Sequence, residues 1–196
     1  LGRLGYLTPF SSEDAEQALL DALGGRLREE ARMRLAVSVD RADGSTAEFN
    51  AVLNEATVTS HQPARICSLS LAVDERPVTE LRGDGVLVAT PTGSTAYALS
   101  CGGPVLMPGL RSMLVVPVAP HSFSFRPLVL HPDQRVSVGL SDPGWLVLDG
   151  QTREALQIGD RVTVSAARHA LRLLQPGDHD HLRTLSAKLH WGKGPT

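Results

Sequence analysis

Aromatic residues make up only 4% of this 196-residue sequence, and it has two cysteines, Cys67 and Cys101. Its core must therefore be mostly aliphatic. Two cysteines without CxxC spacing exclude a disulfide-dense secreted scaffold and favour a reducing compartment. No run of about 20 apolar residues occurs and the sequence contains no basic-then-apolar stretch, so neither a membrane-spanning helix nor an intact signal peptide is expected in it. Charge of one sign is also missing: 19 Lys and Arg against 21 Asp and Glu leave a net charge of -2. That balance does not indicate a polybasic nucleic-acid groove or an anionic-membrane sensor, while leaving room for a local cationic pocket. There is no 20-to-50-residue repeat and no heptad array. His179-Asp180-His181 has metal-ligand residue types but no third ligand at a diagnostic spacing, so no metal site is assigned.

What is present suits one compact domain: 42% of the residues are apolar, in a chain long enough to bury about 70% of its unfolded surface. Ala15, Ala18, Leu19, Ala22 and Leu23 recur at three-and-four spacing after a Ser11 to Asp14 capping pattern, and Gly24-Gly25 ends that helix. From Arg34 the period changes to two. Strands are predicted at Arg34 to Val39, at Ala47 to Thr59 with a break near Asn54-Glu55, and at Cys67 to Val73. Further strands follow at Val86 to Ala89, Leu114 to Val118, Val136 to Leu140, Trp145 to Leu148, Val162 to Ala166 and Leu171 to Leu174. Val86 to Ala89 and Leu114 to Val118 are apolar at nearly every position, as in strands covered on both faces. Pro117 argues against an uninterrupted central strand there. Leu182, Leu185 and Leu189 predict a terminal helix. The chain has room for one helical crossover between Arg34 and Leu174, which favours a mainly β sandwich over an alternating α/β array.

The densest chemical signal is Arg82 to Gly103, RGDGVLVATPTGSTAYALSCGG. An apolar strand there ends in a hydroxyl-rich turn, Thr90 to Thr95, and a short helix follows. Gly93 permits a tight turn, and Ser94 or Thr95 can cap the helix while offering amide and hydroxyl groups to phosphate or ribose. The competing reading is structural: such hydroxyls often only cap their own helix. The turn lacks GxxxxGK[ST], so it is no P-loop and does not imply autonomous nucleotide hydrolysis.

Taken in order, GRLGYLTPF at the start, Leu53-Asn54-Glu55, Gly83-Asp84-Gly85, TPTGSTAY at 90–97, Gly102-Gly103-Pro104, Pro120-His121-Ser122, Arg126-Pro127 and Asp149-Gly150-Gln151 closely resemble the NAD kinase family. The resemblance implies a mainly β fold: the β-rich sandwich of the family's C-terminal part with a few helices, normally joined to an N-terminal α/β domain. It also implies transfer of a phosphoryl group from ATP or polyphosphate to the 2'-hydroxyl of the adenosine ribose of NAD, giving NADP. A non-catalytic dinucleotide-binding or regulatory module is the alternative.

The family's GGDGT motif, whose aspartate activates the ribose hydroxyl, is absent from this sequence, and Gly83-Asp84-Gly85 is a separate motif. The start at Leu1 reads as the continuation of a longer polypeptide. The parent is therefore expected to be the enzyme and this chain alone inactive, with no catalytic residue assigned within it. Residues 1–30 are expected to be a remnant or linker helix beside the missing domain, 31–175 the NAD-binding β domain, and 176–196 a segment packing back toward the missing part.

By matching motif, the resemblance gives NAD contacts to Asn54 and Glu55 at ribose and diphosphate, to Asp84 at ribose hydroxyls or at a neighbouring subunit's ligand, to Thr92, Thr95, Ala96 and Tyr97 on the nicotinamide and ribose side, and more weakly to Asp149. Read without it, Asn54 and Glu55 are strand-end residues, Asp84 and Asp149 turn aspartates, and Tyr97 a core aromatic. The resemblance further implies Mg2+ or another divalent cation carried with the donor phosphates and a homodimer or homotetramer; a cytoplasmic location is expected, and the charge balance and lack of a long apolar run lead to no expected nucleic-acid or membrane partner.

Overall fold

The structure is a computed structural model and describes residues 9–61, 66–121 and 124–191. Most of the opening motif and Ser122 lie outside them. In chain order the elements are α1 (Ala15–Leu23), β1 (Arg28–Arg32), β2 (Leu35–Asp40), β3 (Thr46–Val52), β4 (Glu55–Ser60), β5 (Cys67–Val73), β6 (Arg76–Gly83) and β7 (Gly85–Ala89). A 3-10 turn (Gly93–Thr95), α2 (Tyr97–Ser100), β8 (Met113–Val118), β9 (Leu128–Leu130), β10 (Val136–Leu140), β11 (Gly144–Leu148), β12 (Thr152–Leu156), β13 (Arg161–Ala166), β14 (Leu171–Gln175) and α3 (His181–Lys188) follow. The chain divides into two compact units, one of Leu1–Ala31 with Arg172–Thr196 and one of Arg32–Leu171.

The larger unit is a β sandwich of two six-stranded sheets. Sheet I has the order β3-β2-β13-β10-β5-β6, and sheet II has β12-β11-β4-β7-β8-β9. Their paired strands are antiparallel. Period-two alternation sends Leu35, Val37 and Val39 of β2, Leu69 and Leu71 of β5, and Val136 and Val138 of β10 into one aliphatic core. Val58, Val88, Val115 and Leu146 of sheet II enter the same core. The apolar run at β7 and β8 is explained by a second layer. Their inner side chains join the main core, while Leu87, Ala89, Leu114 and Val116 are covered on the outside by Ala98 of α2 and Leu106.

Pro117 does not break β8. The β8 to β9 ladder pairs only Met113 to Val115, while β8 continues along β7 through Pro117 and Val118. The proline therefore sits where β9 no longer pairs alongside it, the position a residue without an N–H tolerates.

The smaller unit contains α1, α3 and nearly all of the two-stranded sheet β1-β14. Asp180 caps α3, its carboxylate accepting from the N–H groups of Leu182 at 2.9 Å and Arg183 at 3.2 Å. Leu185 is buried there. At α1 the Ser11 hydroxyl donates to the Asp14 carboxylate at 2.6 Å and accepts from the Asp14 N–H at 3.2 Å. No residue of α1 is buried. Among the described residues no helix is long and apolar enough to cross a membrane.

Candidate functional site

Three chain segments meet at one end of sheet II. The first is Leu53-Asn54-Glu55, where β3 gives way to β4. The second is the hydroxyl-rich turn after β7. The third is the three-residue connection between β11 and β12, in which Asp149 and Gly150 have φ of +50° and +66° and the Gln151 N–H closes onto the Leu148 carbonyl at 2.9 Å. Positive φ at both central residues is the type I' geometry that Asp-Gly sequences favour.

Asp149 fastens the first segment to the third. Its carboxylate accepts from the backbone N–H groups of Leu53 at 2.9 Å, Asn54 at 2.7 Å and Glu55 at 3.2 Å, and its own N–H donates to the Glu55 carbonyl at 3.0 Å. The turn aspartate thus fixes the backbone from which the Asn54 and Glu55 side chains project.

Thr90 fastens the first segment to the second. Its N–H donates to the Asn54 carbonyl at 2.8 Å, its hydroxyl donates to the Leu53 carbonyl at 2.5 Å, and that hydroxyl accepts from the Gly93 N–H at 3.1 Å. Gly93 is required here by close approach more than by turn geometry. A Cβ on it would lie 2.1 Å from the Asn54 carbonyl oxygen.

The capping expectation for Ser94 and Thr95 is not met, since neither the 3-10 turn nor α2 has a side-chain cap. The Ser94 hydroxyl instead donates to the Pro91 carbonyl at 2.7 Å and accepts from the Leu106 N–H at 2.9 Å. The Thr95 hydroxyl donates to the Thr92 carbonyl at 3.2 Å and keeps its acceptor capacity. These bonds hold the loop shape, and they follow from hydroxyls whose nearest partners are the turn's own carbonyls.

Other polar groups at this end have no such partners. The Asn54 carboxamide and the Thr92 hydroxyl make no hydrogen bond among the described residues. Ala96 is half-buried between them and Tyr97, which is 44% exposed. Glu55 is buried, and one of its carboxylate oxygens, Oε2, has no partner among the described residues. Burial first and the Asp149 charge second push its carboxyl up to about 7, while a hydrogen bond from the Tyr97 N–H acts in the opposite direction. Burial likewise raises the Tyr97 phenol, which is hydrogen-bonded to the Cys101 thiol and lies within reach of the Asp84 and Glu55 charges.

Asn54, Glu55, Thr92, Thr95, Ala96, Tyr97 and Asp149 are therefore drawn together, and Asp84 lies at the other end of five-residue β7, with its charge still within reach of the Tyr97 phenol. Asp84 links sheet I to sheet II. Its carbonyl accepts from the Ser60 N–H at 3.1 Å and the Thr59 hydroxyl at 2.8 Å, and its N–H donates to the Val118 carbonyl at 3.0 Å. The sequence names Thr90 only as part of the hydroxyl-rich turn; its role as a bridge to Leu53, 37 positions away, appears only in the fold.

A profile of the ATP-NAD kinase C-terminal domain matches residues 53–175, the span that contains every part of this site. The chain belongs to the NAD kinase family. It is 39% identical over 197 residues to an NAD kinase of Nitrosococcus oceani, the match covering 98% of this chain and 67% of that protein. It is also 39% identical over 198 residues to one of Cupriavidus pinatubonensis, at 100% and 64% coverage. The chain thus spans about two thirds of the length of these relatives. Among solved structures it is similar to yeast NADH kinase complexed with NADH, with a TM-score of 0.92 and 25% identity over 100% of this chain and 60% of that one. It is similar also to an Archaeoglobus fulgidus NAD kinase in complex with ATP, with a TM-score of 0.81 and 31% identity over 96% of this chain and 71% of that one. The mainly β sandwich with few helices is the fold of this family's C-terminal part.

Proposed function

We propose that this chain holds the dinucleotide acceptor of an NAD kinase, which moves a phosphoryl group from ATP or polyphosphate to the 2'-hydroxyl of the adenosine ribose of NAD. The observation that supports the reading best is the contrast at the site. Thr90 and Asp149 bond the three segments to one another and Ser94 and Thr95 bond the turn's own backbone, while the Asn54 carboxamide, the Thr92 hydroxyl and one buried Glu55 oxygen have no hydrogen-bond partner among the described residues. Asn54 presents both a donor and an acceptor to ribose hydroxyls. Tyr97 offers a ring face and a polar tip to the sugar and the attached base. Ala96 contributes small size and backbone groups, Thr95 an acceptor, and Asp84 a carboxylate for ribose hydroxyls at the other end of the face. In this reading Asp149 acts as a positioning residue through Asn54 and Glu55.

The relatives' names and the NADH and ATP bound in the two solved structures support NAD and ATP as ligands of the whole protein. A divalent cation receives no site here: among the described residues no group of three His, Cys, Asp or Glu is placed to hold one. We further propose a cytoplasmic homodimer or homotetramer, tested by light scattering on the intact protein.

The deciding experiment is calorimetry with NAD on the wild type, Asn54→Ala and Tyr97→Ala. The variants are expected to bind roughly tenfold or more weakly, the loss of one or two polar and ring contacts, with circular dichroism unchanged. Equal affinity in folded variants would overturn the assignment. NAD binding with no turnover in the intact protein under any phosphate donor would instead establish the non-catalytic module.

A further inference from the structure

Glu55 of β4 and Ala89 of β7 are the last partners of their ladder, and beyond them both strands turn away. The next residue on each side still meets its neighbour, because the Thr90 N–H donates to the Asn54 carbonyl at 2.8 Å. Thr90 is fully buried, and every polar group it has is engaged. Its carbonyl accepts from the Ser94 N–H at 3.0 Å, and its hydroxyl both donates to the Leu53 carbonyl at 2.5 Å and accepts from the Gly93 N–H at 3.1 Å. Pro91 disfavours a helical backbone at Thr90. The branched Cβ restricts the hydroxyl to few rotamers, so these bonds are aimed before any ligand arrives.

The segment from Leu53 to Glu55 is held from both sides. Asp149 takes its N–H groups, and Thr90 takes the carbonyls of Leu53 and Asn54. The two grips differ in what they connect. Asp149 ties the segment to the β11 to β12 connection, whereas Thr90 ties it to the turn that carries Thr92, Thr95, Ala96 and Tyr97. A buried hydroxyl bonded in both directions does not itself reach a ligand. What it controls is the spacing of groups that do.

We propose that Thr90 is a positioning residue for the dinucleotide: its hydroxyl sets the distance between Asn54 and Glu55 on one loop and Thr92 to Tyr97 on the other, so that one ligand engages both. This inference rests on NAD being the ligand of the site. The test is calorimetry with NAD, and the KM for ATP, on the intact protein as wild type, Thr90→Ser, Thr90→Val, Asn54→Ala and the double variant of the last two. Thr90→Ala takes the place of Thr90→Val throughout if the latter does not fold. Thr90→Val keeps the shape but leaves the Leu53 carbonyl and the Gly93 N–H unpaired. It is expected to weaken NAD roughly tenfold, the lower end of what an ångström of misplacement costs at a site, with the KM for ATP unchanged. Thr90→Ser keeps the hydroxyl and stays within about threefold of the wild type. In the Asn54→Ala background the loss from Thr90→Val shrinks to about threefold or less, since a group it aims is gone. Val138→Ala, a cavity in the main core, separates positioning from general loosening: it lowers the melting temperature and leaves NAD affinity as it was. Unchanged NAD affinity in Thr90→Val, an equal loss in Thr90→Ser, full additivity with Asn54→Ala, or an equal loss in Val138→Ala overturns the inference. If Asn54→Ala and Tyr97→Ala still weaken NAD, that failure leaves the acceptor reading intact. Unchanged affinity in those two variants overturns the acceptor reading and this inference with it.

Discussion

A carboxyl group that holds its proton near neutrality leaves a trace in stability. Among the described residues Glu55 has no ion-pair partner and has one oxygen without a hydrogen bond, and it feels the charge of Asp149. The folded chain keeps its proton to about pH 7, whereas an ordinary glutamate releases it near 4.5. Between those values the folded state binds the extra proton, so stability falls as pH rises through the window and levels off above it. The full effect is roughly 3 kcal/mol. Urea titrations from pH 4 to 8 are expected to show this decline in the wild type and to lose it in Glu55→Gln. A wild-type profile parallel to that of the variant would show that Glu55 titrates normally. Gly93 gives a second test at this scale. Gly93→Ala puts a methyl against the Asn54 carbonyl, so the two loops must part. Weaker NAD binding and a loss of about 2 kcal/mol of stability are expected from this overpacking, and calorimetry with thermal melts checks both.

At the level of elements, the interior strands were legible because period-two patterning survives wherever one face is buried. β2, β5, β10, β11 and β13 match the predicted segments to within a residue or two, and the break at Asn54-Glu55 marks the real join of β3 and β4. The strands that escaped notice are β1 and three at sheet edges, β6, β9 and β12. Edge strands carry polar residues and so lose the alternation that makes a strand readable. β6 was hidden further by its turn. Asp74 and Glu75 have φ of +50° and +63°, and no glycine announces the hairpin. Asp74 is held in place by the Arg135 N–H at 2.9 Å and the Gln134 amide at 3.1 Å, but nothing comparable relieves Glu75. Glu75→Gly is therefore expected to stabilise the protein by about 1 kcal/mol, read as a raised urea midpoint with an unchanged slope. An unchanged or lower midpoint would mean that the glutamate side chain contributes more than its strain costs. In the site itself, the segments were visible as motifs, but the division between hydroxyls that bind the backbone and groups left free was not. That division depends on contacts such as Thr90 to Leu53 and Asp149 to Asn54, between residues 37 and 95 positions apart in the chain.

For the molecule as a whole, the charges on this face limit what it can do alone. Glu55, Asp84 and Asp149 are acidic, and Arg153 is the cation that sheet II presents beside them. A phosphoryl donor and NAD are both anions, and a loose transition state spreads further negative charge over the transferred group, so catalysis requires positive or N–H-rich groups aimed at the donor. The segments at Asn54, Thr90 and Asp149 offer none in excess, because their N–H groups are largely bonded within the site. The family relatives are about half as long again as this chain, and the donor's charge is expected to be met by that additional length. NAD should therefore bind both to the 196-residue chain and to the intact protein, whereas formation of NADP should be at least roughly a thousandfold faster in the intact protein, the scale at which loss of charge-stabilising groups acts in phosphoryl transfer. A coupled assay run on both, with ATP and polyphosphate supplied separately, checks this. Equal turnover would place the donor's counter-charges on the sandwich itself, and the search for them would return to Arg153 and its neighbours on β12.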